Sequence, residues 1–140
     1  YSNAFIDLLD HKNNRLQWGA MTAIDYITLE NPKNIYASLS NIIDAANNGS
    51  VITKDHAVNI LIKLCSIKLY SDNSFALLNE QLLKSPTNQL PKYAEDSLPI
   101  INSKNKKIFL KTLRSRINDV EKETKKKRIE KVISKVEKIK

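Results

Sequence analysis

Glycine, cysteine, histidine and tryptophan are scarce in this 140-residue chain. Gly19 and Gly49 are the two glycines, and four prolines complete the breaker set. So few positions for positive φ exclude a hairpin-rich β protein and suit helices joined by short polar loops. There is no glycine-rich phosphate loop, no nucleophile elbow and no HExxH pair. The single Cys65 excludes an internal disulfide framework. It sits in the most apolar stretch, as a small hydrophobe in a reducing, cytoplasmic compartment would. His11 and His56 have no cysteine, Asp or Glu cluster at ligand spacing, so no metal is expected. Glu95 and Asp96 are adjacent and diverge by about 100° on a helix, which makes them a poor carboxylate pair. The expectation is therefore no catalytic residue, no cofactor and no enzyme. No apolar run approaches the roughly 18 residues of a spanning helix, so membrane insertion is not expected. The chain opens on Tyr1, not methionine, and reads as a processed or excised piece.

Charge is present in quantity and unevenly placed. The formal net charge is +8. Residues 1–100 hold 8 Lys and Arg against 10 Asp and Glu; residues 101–140 hold 15 against 5. The basic character belongs to the C-terminal region, so overall pI says little about the rest.

One hundred and forty residues suffice for a single domain with a real core. The most apolar stretch is 54–69, KDHAVNILIKLCSIKL. Ala57, Leu61 and Leu64 form one stripe, and Val58, Ile60, Ile62, Cys65 and Ile67 widen it until little polar face is left. A helix apolar nearly all round is a buried one. The same pattern occurs 37 residues earlier and 37 later, which divides the chain into units at about 4–31, 33–70, 75–102 and 104–140. In the first, a short helix at 4–10 and the turn His11-Lys12-Asn13-Asn14 precede a helix at 15–29, stopped by Asn31-Pro32. In the second, a helix carrying Ile35, Leu39, Ile42 and Ile43 ends at Asn47-Asn48-Gly49-Ser50. Gly49 is expected as the left-handed residue past the helix end and Thr53 as the next N-cap, with the central helix running to about residue 70. Ser71 to Ser74 is the next break.

In the third unit Leu78, Leu82 and Leu83 point inward on a helix at 75–84. Pro91 opens the next helix and Pro99 shortens it. In the fourth, Ile108, Leu110, Leu113, Ile117 and Val120 share a helix face, and residues 118–124 form a corner, with one long helix through it left open. Ala20, Ala57, Ala94 and Ile129 occupy one slot; Ile24, Leu61, Leu98 and Ile133 the next; Ile27, Leu64, Ile101 and Val136 a third. Each unit is a hairpin that cannot bury its own apolar faces, and stacking hairpins bury them together.

The segments LLDHKNNRLQWGAMTAIDYI, IIDAANNGSVITKDHAVNILIKL and LLKSPTNQLPKYAEDSLPII carry a family outline: an apolar pair, a polar turn, then a helix with small residues at its crossing point. In this the chain resembles the HEAT/armadillo superfamily, its HEAT-like branch in particular. The resemblance covers nearly all of the chain, the last unit least well. The family's Asp and Arg ladder slots read Asn13 and Gln17, Ser50 and Lys54, Thr87 and Pro91, so the ladder is mostly absent. The implied fold is all-α, a right-handed α-solenoid (α-α superhelix) of about four helical hairpins. The family shares no catalytic residues; most members bind proteins and a few bind nucleic acid, DNA-alkylation repair glycosylases among them.

In such a solenoid the second helices line the concave surface. Trp18 lies two residues, about 200°, from the Ala20 slot and points with Thr22, Asp25 and Leu29 toward that surface. Asp55, Asn59, Ile62 and Ser66 match them in the second unit, Lys92, Asp96 and Pro99 in the third. Trp18, Thr22, Tyr26, Asn59 and Ile62 are the candidate protein-binding residues, with Trp18 as an anchor or as a cover for the end of the stack. Lys125, Lys126, Lys127 and Arg128 are the candidate nucleic-acid contacts. Ile129, Val132, Val136 and Ile139 run beside them, so the same segment also reads as a closing amphipathic helix with a lysine-rich outer face. Asp25, Asp55 and Asp96 give the concave surface a mixed sign, unlike a groove that tracks DNA.

Overall fold

The capping residues and prolines decide where the helices begin and end. The computed structural model describes residues 2–10 and 13–140, with only the backbone of Asn14. Among them all regular structure is helical: α1 (Ser2–Leu8), α2 (Asn14–Ile27), α3 (Pro32–Ala37), α4 (Leu39–Asn48), α5 (Val51–Cys65), α6 (Ser71–Lys84), α7 (Leu90–Ser97), α8 (Lys106–Arg116) and α9 (Glu123–Glu137). Short 3-10 turns follow α5, α7 and α8 at Lys68–Tyr70, Leu98–Ile100 and Ile117–Asp119. The chain divides into two compact units, Tyr1–Ser71 and Asp72–Lys140. His11 and Lys12 of the expected polar turn lie outside the described residues.

In the first unit, α2 packs against α1 and α5, and α4 packs against α5. Asn13 caps α2: its side-chain oxygen accepts from the Arg15 and Leu16 amides at 2.9 and 3.4 Å. Thirty-seven residues on, Ser50 does the same for α5, accepting from the Thr53 amide at 3.4 Å. Ser50 is thus the N-cap in place of Thr53, which lies buried inside the first turn of α5. Gln17 and Lys54 are also 37 apart and do equivalent work. Gln17 Nε2 donates to the Leu9 carbonyl at 2.8 Å, and Lys54 Nζ to the Gly49 carbonyl at 3.5 Å. Each donates from a second helix back to the end of the first helix of its own hairpin, where carbonyls lack helical partners. These are two of the three slots, with Pro91, in which the HEAT-like outline would have an arginine.

Gly49 is not left-handed: its φ is −101° and its ψ −174°. Glycine is required there for space. A Cβ would stand 2.5 Å from the Ala45 carbonyl oxygen and 3.1 Å from both Gln17 Oε1 and Thr53 Cβ. The helix expected from 33 to 47 breaks at Ser38, where φ is −106° and ψ 15°, into α3 and α4. Pro32 opens α3 at a position where its missing donor costs nothing. The Asn31 and Asn34 side chains both donate to Ser2 Oγ, tying α3 to the start of α1. The α5 helix ends at Cys65, short of residue 70, because Ile67 turns to extended backbone with φ −104° and ψ 115°. Leu69 is exposed as a result, while Tyr70 stacks on Tyr36 with ring centroids 4.3 Å apart.

The slot residues Ala20, Ile24, Ala57, Leu61 and Leu64 are buried, with Ile27 half-buried. Ile60 and Val58 fill the remaining sides of α5, as a helix with neighbours on several faces requires. Burial pushes the Cys65 thiol up to about 12, so it remains a neutral thiol.

In the second unit, α9 packs against both α7 and α8. Residues 71–74, expected as a break, form the first turn of α6, with Asp72 favourably placed near the helix N-terminus. Pro91 sits in the first turn of α7, and Pro99 follows its end at Ser97. The segment 104–140 is two helices, turning through Ile117–Asp119 and the buried Val120 before α9 starts at Glu123. Ala94, Ile101, Ile129, Ile133 and Val136 are buried in their slots, and Leu98 is half-buried. Leu83 and Ile108, expected inward, are exposed; the inner faces are taken by Phe75, Leu78 and Leu82 on α6, and by Phe109, Leu110 and Leu113 on α8. Arg116 closes the end of α6. Its guanidinium donates to the Leu82 carbonyl at 2.7 Å, the Ser85 carbonyl at 2.9 Å and Asp119 Oδ2 at 2.9 Å.

Leu61 is fully buried on α5. Leu61→Ala should therefore cost roughly 2–5 kcal/mol as a cavity, read as a lower midpoint in denaturant with the slope retained. A loss no larger than the ~0.5 kcal/mol of a surface change would remove Leu61 from the core.

Candidate interaction faces

On α2, the spacing of four and four places Trp18, Thr22 and Tyr26 on one face, and Leu29 follows in the turn just past the helix end. Exposure is confined to its C-terminal end. Trp18 and Thr22 are half-buried, Tyr26 is 80% exposed and Leu29 57%. The Thr22 hydroxyl turns back to the Trp18 carbonyl at 2.8 Å, so it offers little outward. The Trp18 indole N–H is buried and has no hydrogen-bond partner among the described residues. A buried donor without an acceptor costs ~1–3 kcal/mol, which a correctly placed carbonyl would recover.

Asp25, expected on the open surface, is only 7% exposed and faces α5. His56 Nδ1 donates to its Oδ2 at 2.7 Å, and Lys63 Nζ to its Oδ1 at 2.6 Å. Lys63 Nζ also reaches the Asp25 carbonyl at 2.7 Å, and Asn59 Nδ2 stands 3.5 Å from Oδ2. His56, Asn59 and Lys63 fall at intervals of three and four, on one side of α5. A carboxylate leaving water needs such partners, and here α5 supplies them. Lys63 was missed as a site residue because, in a helix so apolar, an isolated lysine reads as a solvated edge. The readable signal is its spacing from His56 and Asn59.

Of the five candidate partner residues, Trp18, Thr22 and Tyr26 share the α2 face, and Asn59 is drawn toward Asp25. Ile62 and Asp55 are each half-buried on α5, and Ser66 is exposed with its hydroxyl on the Lys63 carbonyl at 2.5 Å. The two faces therefore meet across a polar seam centred on Asp25.

In the second unit the run Lys125 to Arg128 does not act as one patch. Consecutive helical residues diverge by about 100°, so four of them fan around the axis. Arg128 forks onto Glu95 of α7, with Nη2–Oε1 at 2.5 Å and Nε–Oε2 at 3.1 Å. Lys125 Nζ donates to Asn88 Oδ1 at 2.9 Å. Lys126 is half-buried and Lys127 is exposed. Lys92 and Asp96, from the expected concave set, pair with each other on α7 at 3.2 Å.

Among the described residues no three His, Cys, Asp or Glu side chains group as metal ligands. No described helix is long and apolar enough to cross a membrane. No family model, curated protein or solved structure matches the chain.

The Arg128 fork holds the Glu95 carboxyl below its ordinary value, chiefly through the hydrogen bond. A depressed carboxyl adds stability above its unfolded value and loses it as pH falls through the folded one. Both partners are partly exposed, so the increment lies below about 1 kcal/mol. Thermal melts should show wild type above Glu95→Gln at neutral pH, with the gap closing below about pH 4. A gap that persists in acid would mean the charge on Glu95 is not what links α7 to α9.

Proposed function

We propose that the chain is a small right-handed α-solenoid of HEAT-like hairpins that acts as a non-catalytic protein-binding scaffold in the cytoplasm. The paired roles at a spacing of 37 support the repeat: Asn13 with Ser50 as caps, Gln17 with Lys54 as donors, Ala20 with Ala57 at the crossing. The single observation behind binding is the α2 face. Tyr26 stands exposed in line with Trp18, Leu29 is exposed just past the helix end, and the Trp18 indole donor has no acceptor among the described residues. Aromatic side chains with an unmet polar end are what protein interfaces concentrate at their centres. Ile62 and Asn59 extend this surface onto α5. The partner would present an apolar side chain to Tyr26 and Leu29.

Affinity capture with the intact chain tests this reading. Trp18→Ala/Tyr26→Ala/Ile62→Ala should lose the captured partners, while Glu30→Gln keeps them, both with wild-type circular dichroism. Equal capture by all three proteins would remove this face from the account.

A further inference from the structure

Among the described residues Lys126, Lys127, Lys131 and Lys135 of α9 and Lys138 just past its end make no hydrogen bond or ion pair, and of these Lys127, Lys131 and Lys138 fall on one line. Ile129, Val132, Ile133 and Val136 are its buried side. Opposite them, at intervals of four, three and four, stand Lys127, Lys131, Ser134 and Lys138, all exposed. None of the three lysines makes a hydrogen bond or ion pair within 4 Å among the described residues. Acidic residues keep to one flank, at Glu123, Glu130 and Glu137, where Glu137 meets Arg114 of α8 at 3.5 Å. On the other flank Arg128 is held by Glu95. The line itself thus carries one sign of charge. The charge is also confined to one unit. Residues 72–140 hold 17 Lys and Arg against 9 Asp and Glu, whereas residues 1–71 hold 6 of each.

We propose that the Lys127–Lys131–Lys138 line binds the phosphate backbone of duplex nucleic acid, without reading its sequence. The three ammonium groups span about 16 Å along the helix axis. Lysine is a point charge with no planar fork, suited to a polyanion of continuous charge density and poorly suited to selecting one carboxylate. A duplex presents one charge per ~1.7 Å, so some phosphate lies within reach of each lysine whatever the register. A single strand fits less well, because it needs exposed aromatic rings to stack its bases, and Phe75, Tyr93 and Phe109 are all buried. An anionic bilayer fits less well too. The apolar side of α9 is committed to the core of its own unit, which leaves nothing to insert beside the lysines.

Fluorescence anisotropy of a labelled mixed-sequence duplex, titrated with the full chain across a salt series, tests this. The logarithm of the binding constant should fall linearly with the logarithm of salt. Lys127→Gln/Lys131→Gln/Lys138→Gln should flatten that slope by about 2–3 and weaken binding at low salt at least tenfold. A charge-matched control, Lys33→Gln/Lys68→Gln/Lys84→Gln, changes three exposed lysines elsewhere and should leave the slope unchanged. The proposal is overturned if wild type does not bind the duplex at low salt, or if the control loses as much as the α9 variant. It is equally overturned if phosphatidylserine vesicles, and not the duplex, show the dependence on these three lysines.

Discussion

A buried carboxylate that must be satisfied sets the geometry of the first unit. Asp25 leaves water only because α5 supplies His56 and Lys63 to its two oxygens, at 2.7 and 2.6 Å. Apolar stripes such as Ala20–Ile24 and Ala57–Leu61 press helices together but tolerate sliding, since packing is non-directional. Two charge-assisted bonds to separate oxygens do not. Displacing α5 by one turn, about 5.4 Å, would strand the charge. The second unit solves the same problem nearer the surface. Arg128 precedes the Ile129 slot as His56 precedes the Ala57 slot, and each reaches a carboxylate on the second helix of the preceding hairpin. Arg128 and Glu95 remain partly in water, so their pairing contributes less.

The sequence was most readable where physics is periodic. The slots at 20, 57, 94 and 129 are buried, as is most of the set one turn further on, because apolar spacing of three and four has few other uses. The lapse of the apolar stripe after Val120 marked a corner in 104–140 but left one long helix open, and the turn at Ile117–Asp119 decides for two. Less was legible where one atom decides. Thr53 and Ser50 both look like caps, and only the path of the chain chooses Ser50. Gly49 matched a positive-φ signature, yet what needs glycine there is the closeness of the Ala45 carbonyl, a tertiary fact. Asp25 was placed on open surface by its angle on α2, which carries no information about how closely α5 lies beside it. Leu83 and Ile108 failed for a related reason: a helix with aromatic residues available for its inner face can leave a smaller apolar residue outside.

Two chemically different faces result. The first unit is electrically balanced and exposes aromatic and aliphatic groups on α2, the basis of the protein-binding role proposed above. The second carries the excess positive charge with its aromatics buried, which suits attraction without shape. The candidate residues of 125–128 illustrate the distinction. Two of the four are spent holding α9 to neighbouring structure, and of the remaining two only Lys127 lies on the outer line. A sequence run of basic residues thus overstates a patch, and helical spacing corrects it.

The claim that Asp25 ties α2 to α5 is tested most directly by a double-mutant cycle on Asp25→Asn and Lys63→Met, read by denaturant unfolding of the intact chain. Each single change should destabilise, and their coupling should be favourable by about 1–3 kcal/mol, as for a charge-assisted bond with one buried partner. A coupling within ~0.3 kcal/mol of zero would contradict the account, because the shorter of the two bonds to Asp25 would then contribute nothing to holding α2 against α5.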